Sequence, residues 1–348
     1  MARMMAQPPL EILDSPRPDT QRIAILREAN RVELAYAAIP EPGPEEIRIK
    51  IKWVGICGSD VEAFRGTRQP EFISFPTRLG HEVGGTIEKV GSNVLGLQVG
   101  DQVSCRYVWG AFAEYIVCSP FNVKVVPSRI PLKEVSLLET LPGIIHAAEL
   151  SRITSSTTVL ITGQGVSGLI LTQVVSLFSP KRLVVTDIHQ KNLDLARKYG
   201  ATDTYLLDSP ASSSAAAIKD QFPNGCEVVI PCLLEGDGMI DAVDAASFGG
   251  RIVMYGCIGI CRQPFDFFKV HRKRLEIYST EPRSDIEMRR YFQEGVQLLL
   301  DGLLNTRELV SKTVSLENIQ EAFYLRSDQE NDTIHVLIDC ESPRSREP

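Results

Sequence analysis

The sequence predicts a two-domain α/β chain, a β-rich region followed by a doubly wound parallel sheet. Its 348 residues exceed the roughly 250 to 300 at which one hydrophobic core usually stops growing. From Arg22 to about Glu149, Gly and Pro break the chain into short strand-like runs with few helices between them. From Leu150 onward, strand-like and helix-like runs alternate, which is the pattern of parallel βαβ units with right-handed crossovers.

The elements justify this division in order. Residues 1–21 are Pro-rich and aperiodic and read as a tail. In the first region, 22–149, the runs EIRIKIKWV (46–54), GGTIEKV (84–90), QVSCRYV (102–108) and AEYIVC (113–118) carry the β-branched and alternating character of strands. The second region, 150–299, begins with strand-like TVLIT (158–162), helix-like SGLILTQVVSLF (167–178), strand-like RLVVTD (182–187) and helix-like QKNLDLARKYG (190–200). It continues with CEVVIP (226–231), MIDAVDAAS (239–247) and RIVMYG (251–256). Helix-like MRRYFQEGVQLLLDGLL (288–304) comes next, then ELVSKTVSL (308–316), NIQEAFYLR (318–326) and TIHVLID (333–339). These segments are expected to return and complete the first region, with the boundary between 285 and 305, and ESPRSREP (341–348) reads as a second tail.

Composition narrows the function classes. Hydrophobic residues make up 43% and charged residues 23%, an ordinary globular balance. No uninterrupted apolar stretch of about 18 residues occurs, and the N-terminus lacks a signal-peptide layout, so no membrane association and a cytoplasmic location are expected. A net charge of −7, with no basic run longer than His271 to Arg274, offers no field for a nucleic-acid backbone. The eight cysteines are scattered, which indicates reduced thiols, most of them small buried hydrophobes, and not a disulfide framework. Cys257 and Cys261 form the one close pair, without further cysteines nearby to complete a closed metal site.

Two constellations carry chemistry. Gly163-Gln164-Gly165-Val166-Ser167-Gly168 lies between a strand-like and a helix-like run, and Asp187 ends the next strand. In that context the glycines serve a tight turn, close backbone approach to a pyrophosphate and close helix–strand packing, and the helix start supplies amide donors and a positive dipole end. A carboxylate at Asp187 accepts hydrogen bonds from ribose hydroxyls and repels a 2′-phosphate, so NAD is expected over NADP, although Arg182 and Lys191 lie nearby in sequence. The second constellation is GICGSD (55–60) with GHEVGG (80–85), which offers thiolate, imidazole and carboxylate, the three donor types that catalytic zinc accepts.

Together with Gly91, VGDQV (99–103) and AEY (113–115), these motifs resemble the medium-chain dehydrogenase/reductase superfamily, specifically zinc alcohol dehydrogenases of the sorbitol and threonine dehydrogenase type. The resemblance covers roughly residues 22–340. It implies a GroES-like catalytic domain, a Rossmann cofactor domain and an active site in a cleft between them. It also implies one catalytic Zn²⁺ per chain and hydride transfer between NAD and a secondary alcohol: a polyol, sugar, aminocyclitol or hydroxy amino acid. A homo-oligomer, dimer or tetramer, is the expected assembly. Position by position, Cys57 and His81 match zinc ligands, and Glu82 matches an acid that ligates in some members. Glu139 falls where relatives carry a glutamate near the metal, with Thr140 in place of the usual Pro. Ser59 matches the hydroxyl that passes the alcohol proton towards solvent, and Asp60 a residue that steadies the ligands.

Two departures stand out. Val103 to Phe112 contains only Cys105, where many relatives carry four cysteines of a structural zinc lobe, so that lobe is expected to be absent. Glu62 stands where some relatives have a relay histidine, so the proton is expected to leave through cofactor hydroxyls and water, or through Glu62. Phe64, Tyr107 and Trp109 are candidate pocket aromatics, against the plainer reading that they belong to the core. The rival readings are a zinc-free reductase of the same superfamily and a non-catalytic nucleotide-binding protein with this fold.

Overall fold

The computed structural model describes residues 11–13, 15–68, 73–233, 236–256, 263–281, 283–328 and 330–342. The chain forms two compact units, one of residues 1–139 with 306–348 and the other of residues 140–305.

The first unit is built on the strand Ile47–Gly55, whose alternating I-R-I-K-I-K pattern sends Ile47, Ile49 and Ile51 into the core at 0% exposure. On one side it pairs antiparallel with Glu82–Val90, which continues to Gln102–Cys105 and Val123–Val125. On the other it pairs antiparallel with Val336–Asp339, which runs parallel to Lys312–Ser315. Tyr115–Cys118 also pairs with it, and Thr20–Glu28 forms a smaller sheet with Arg31–Ala38 and Ile12–Leu13. The core joins Val54, Val83, Ile87 and Phe112 to Phe323, Val336 and Ile338 of the returning segment. Apolar burial is therefore what draws residues beyond 306 back onto this unit.

Arg22 fastens that return. Its buried guanidinium donates to Glu114 Oε1 (2.8 Å), to Glu317, and to the carbonyls of Cys340 (3.2 Å) and Ser342 (2.8 Å). Arg22→Ala removes the guanidinium from two carboxylates and two carbonyls, in a site that keeps only limited contact with water. It should lower unfolding free energy by about 3 kcal/mol, the lower end of the range for breaking a buried pair. Urea denaturation checks this, and a loss below about 1 kcal/mol would show that water substitutes for the guanidinium.

The second unit is a six-stranded parallel sheet in the spatial order Asp203–Leu206, Arg182–Asp187, Thr158–Thr162, Cys226–Pro231, Ala246–Met254, Glu276–Ser279. Thr158–Thr162 is buried along its whole length, as a central strand covered on both faces must be. The strand order reverses at Thr158–Thr162, the topological switch point where open α/β sheets bind ligands.

The units divide between Glu139 and Thr140 and between Asn305 and Thr306, so the helix Leu141–Ser151 is grouped with the parallel sheet and not with the first region. It packs on the helix Asp285–Leu300. Gly295 lets Leu141 approach, since a Cβ there would lie 2.6 Å from that of Leu141, and the rings of His146 and Tyr291 stack at 4.7 Å. For the same reason the helix-like run from 288 stays with the second unit, and only the segments beyond 306 return. No helix among the described residues is long and apolar enough to cross a membrane.

Candidate metal centre and dinucleotide loop

Within the first unit, Cys57 caps the helix Gly58–Arg65, and His81 and Glu82 stand where the strand Glu82–Val90 begins. Asp60, fully buried, joins the two segments: its Oδ2 accepts from the Cys57 N–H and its Oδ1 from the Gly80 N–H, both at 3.1 Å. Oδ1 also lies 3.6 Å from His81 Nδ1. This carboxylate therefore fixes the spacing of the two segments before any ion is involved.

One donor atom from each of Cys57, His81 and Glu82 lies within 4.8 Å of the other two, and among the described residues this is the one such group of His, Cys, Asp and Glu. His81 Nδ1 and Glu82 Oε2 are buried and make no well-formed hydrogen bond beyond their ion-pair contacts with Asp60 and His335. Buried polar atoms left this poorly satisfied beside a thiol are costly unless something binds them, and thiolate, imidazole and carboxylate fit a zinc site with an open fourth position.

The electrostatics are those of a crowded, desolvated cluster. Burial opposes a charged His81, but Asp60 and Cys57 outweigh it and hold its pKa well above the ordinary range. Burial, reinforced by Glu82, pushes the Cys57 thiol up. Burial would also raise the Glu82 carboxyl, yet its interaction with His335, whose Nε2 lies 3.0 Å from Glu82 Oε2, keeps it below its usual value. The Trp109 ring lies 4.4 Å from that of His81, centroid to centroid, and covers one side of the imidazole.

The remaining candidates divide. Glu139 is buried, with its pKa raised by burial, but its Oε1 and its carbonyl accept from Arg106 Nη1 at 3.0 and 2.7 Å. It is not one of the three donors within 4.8 Å of one another, although it is close enough to interact electrostatically with His81 and Glu82. Ser59, half-buried, sits in the first turn of the helix that Cys57 caps, with Glu62 one turn along the same face. Phe64 is a core residue, 1% exposed and stacked on Phe323 at 5.0 Å, so it does not line a pocket. Tyr107 is half-buried beneath the Arg106 guanidinium. Cys105, Cys118, Cys226 and Cys340 are buried, and burial pushes the Cys226 and Cys232 thiols up to about 12, which disfavours the thiolate form of those two. Cys257 and Cys261 lie outside the described residues.

In the second unit the glycine loop joins Thr158–Thr162 to the helix Val166–Ser176. Gly163 takes φ +82°, and its N–H donates to the Thr186 carbonyl at 2.9 Å. A Cβ on Gly168 would overlap the Gly163 carbonyl oxygen, so glycine is what allows the helix to lie this close to the strand. Gly165, immediately before the helix, faces open space where a Cβ would stand, and Val166 and Ser167 begin the helix with amides that lack intrahelical partners. An anionic pyrophosphate fits that cradle.

Asp187 is not a solvated loop acid. It is 8% exposed. Its Oδ2 accepts from the Gln164 N–H (2.6 Å), and its Oδ1 from the His189 N–H (2.8 Å) and Asn192 Nδ2 (3.2 Å). Burial raises its pKa against those donors. Asp187 thus steadies the glycine loop as well as closing its strand, a second role that the motif alone does not disclose. Arg182 is held by Asp203, with Nε 2.6 Å from Oδ2, and so is engaged with the neighbouring strand Asp203–Leu206.

Sequence reasoning missed His335 and Arg106. Neither belongs to a local motif, and each acquires its meaning only from the partner it meets.

Residues 43–128 match the family model for the alcohol dehydrogenase GroES-like domain, and residues 167–300 that for zinc-binding dehydrogenase. The chain is 24% identical to sorbitol dehydrogenase of Bacillus subtilis, over 92% of this chain and 98% of the relative. It is 30% identical to L-idonate 5-dehydrogenase of Vitis vinifera, over 63% and 68% respectively. Galactitol-1-phosphate dehydrogenase from Escherichia coli shares its fold, with a TM-score of 0.77 at 24% identity over 91% of this chain and 99% of that one.

Proposed function

The chain belongs to the zinc-binding alcohol dehydrogenases of the medium-chain dehydrogenase/reductase superfamily, and from that premise we propose that it transfers a hydride between a secondary alcohol and NAD at a single zinc. The observation that carries the proposal is the convergence of Cys57, His81 and Glu82 within 4.8 Å. Sorbitol dehydrogenase and L-idonate 5-dehydrogenase are among the relatives it resembles, so the substrate class proposed is a polyol, sugar or related hydroxy compound.

Cys57, His81 and Glu82 would hold the metal, which supplies a Lewis acid able to bring a hydroxyl pKa towards neutrality. The nicotinamide supplies the hydride acceptor, and the second unit's loop would hold its pyrophosphate at Gly165 and the helix start. Asp60 keeps the two ligand segments in register, and Trp109 shields one face of His81 from water. Ser59 Oγ takes the proton of the alcohol and passes it towards solvent, with Glu62 next along the helix. A homo-oligomer, dimer or tetramer, is part of the proposal and is checked by light scattering on the eluting protein.

Following NADH absorbance with a panel of polyols, sugar acids and hydroxy amino acids tests the reaction. The absence of turnover with every member, in protein carrying zinc, would overturn it. The cofactor preference is a separate test. NAD is expected to exceed NADP by at least about tenfold in kcat/KM, equivalent to ~1.4 kcal/mol, because Asp187 repels a 2′-phosphate. Asp187→Ser should narrow that ratio and also weaken NADH binding, since the Gln164 and His189 amides lose their acceptor. A wild-type preference for NADP would contradict the assignment.

A further inference from the structure

The geometry points to His335 as a positioning residue that holds the Glu82 carboxylate beside Cys57 and His81, an inference that rests on the zinc reading above. His335 is 0% exposed, and its Nε2 stands 3.0 Å from Glu82 Oε2. Apart from that contact, neither ring nitrogen nor Glu82 Oε2 has a hydrogen-bond partner among the described residues. Burying an imidazole with nothing else to bond is unfavourable. Among the described residues its ion-pair contact is with the carboxylate of the candidate ligand.

Sheet register explains how the two meet. Gly55 ends the strand Ile47–Gly55 with Glu82 opposite it on one side and Leu337 opposite it on the other. Beyond that register the Ile56 N–H donates to the Val336 carbonyl at 3.0 Å, so the chain stays paired up to the segment that carries Cys57. His335 is the next residue out. Its backbone is fixed in turn, because its carbonyl accepts from the Ser311 and Lys312 amides at 2.9 and 3.3 Å.

Gly55 keeps the space between them open. A Cβ at this position would overlap both Glu82 Oε2 and His335 Nε2. Glu82 and His335 therefore reach each other across the missing side chain of the strand between them, from a neighbouring strand on either side. A carboxylate held in this way loses less rotational freedom when it ligates a metal, and such outer partners are worth roughly 10- to 100-fold in metal affinity.

The test measures zinc dissociation constants by chelator competition, together with the visible spectrum of cobalt-substituted protein, in wild type and in His335 variants. The two amide variants separate the contact from general packing. Gln places its amide near the position of Nε2, whereas Asn places it near Nδ1. His335→Gln should therefore bind zinc within about threefold of wild type, while His335→Asn and His335→Leu weaken it 10- to 100-fold and alter the cobalt spectrum. In a Glu82→Gln background the same His335 changes should have no further effect, because His335 acts through that carboxylate. The urea unfolding midpoint of the whole chain reports that each variant is folded, and His335→Asn keeps the test open should the Leu variant not fold. Wild-type zinc affinity that His335→Asn leaves unchanged overturns the inference alone, and so does an equal loss with Glu82 already replaced. Wild-type protein with no measurable zinc affinity overturns the zinc reading and this inference with it.

Discussion

Cys57→Ala and His81→Ala are each expected to leave protein without bound metal and to lower kcat/KM by at least on the order of 10³, while NADH binding persists. Each substitution removes one of three converging donors, and a catalytic zinc held by two protein ligands is too weakly bound to survive dialysis against a chelator. Removing the Lewis acid costs several kcal/mol of transition-state stabilisation, which sets the scale of the rate loss. The glycine loop belongs to a separate compact unit with its own sheet, so fluorescence titration with NADH should be nearly unchanged. Elemental analysis after EDTA washing should return about one zinc per chain for wild type and about none for the variants. Full turnover in a metal-free Cys57→Ala protein would end the zinc assignment, and a wild-type value near two would reveal a further site.

Ser59→Ala should behave differently: metal retained, turnover slowed by on the order of 10² to 10⁴, the range for losing a positioned proton acceptor. Ser59 is not one of the three clustered donors, and it stands in the helix turn directly after Cys57. The replacement deletes one hydroxyl from a half-buried position and leaves the helix with a better former. Zinc content and unfolding midpoint should therefore match wild type. Pre-steady-state measurement of NADH formation, with solvent deuterium, isolates the proton step. A Ser59→Ala enzyme with wild-type turnover would move the proton route elsewhere, to water or Glu62.

The two halves of the chain were legible to different degrees. The strands Thr158–Thr162, Arg182–Asp187 and Cys226–Pro231 fall on the residues that their apolar runs indicate, because a strand buried on both faces is written as an uninterrupted run with polar ends. Leu141–Ser151 is apolar nearly throughout, so no periodicity shows which neighbour it prefers. Its packing on Asp285–Leu300 decides that. Phe64 shows the same limit, since an aromatic on a short helix reads equally as pocket or core until Phe323 arrives from the far end of the chain to stack on it.

By itself the sequence determined what is encoded locally: the parallel-sheet unit, the glycine loop with its acid, and the thiol, imidazole and carboxylate of two short glycine-containing motifs. Those features depend on residues a few positions apart, whose relative geometry the backbone fixes. Tertiary structure alone decided which carboxylates belong to the cluster. Glu139 and Glu82 are equally acidic in the sequence, but Arg106 occupies Glu139 whereas Glu82 stands with Cys57 and His81 and faces His335. The reason is physical. A carboxylate's role depends on the charges within a few ångströms of it, and here strand register and the space left by Gly55 bring those charges together from distant parts of the chain.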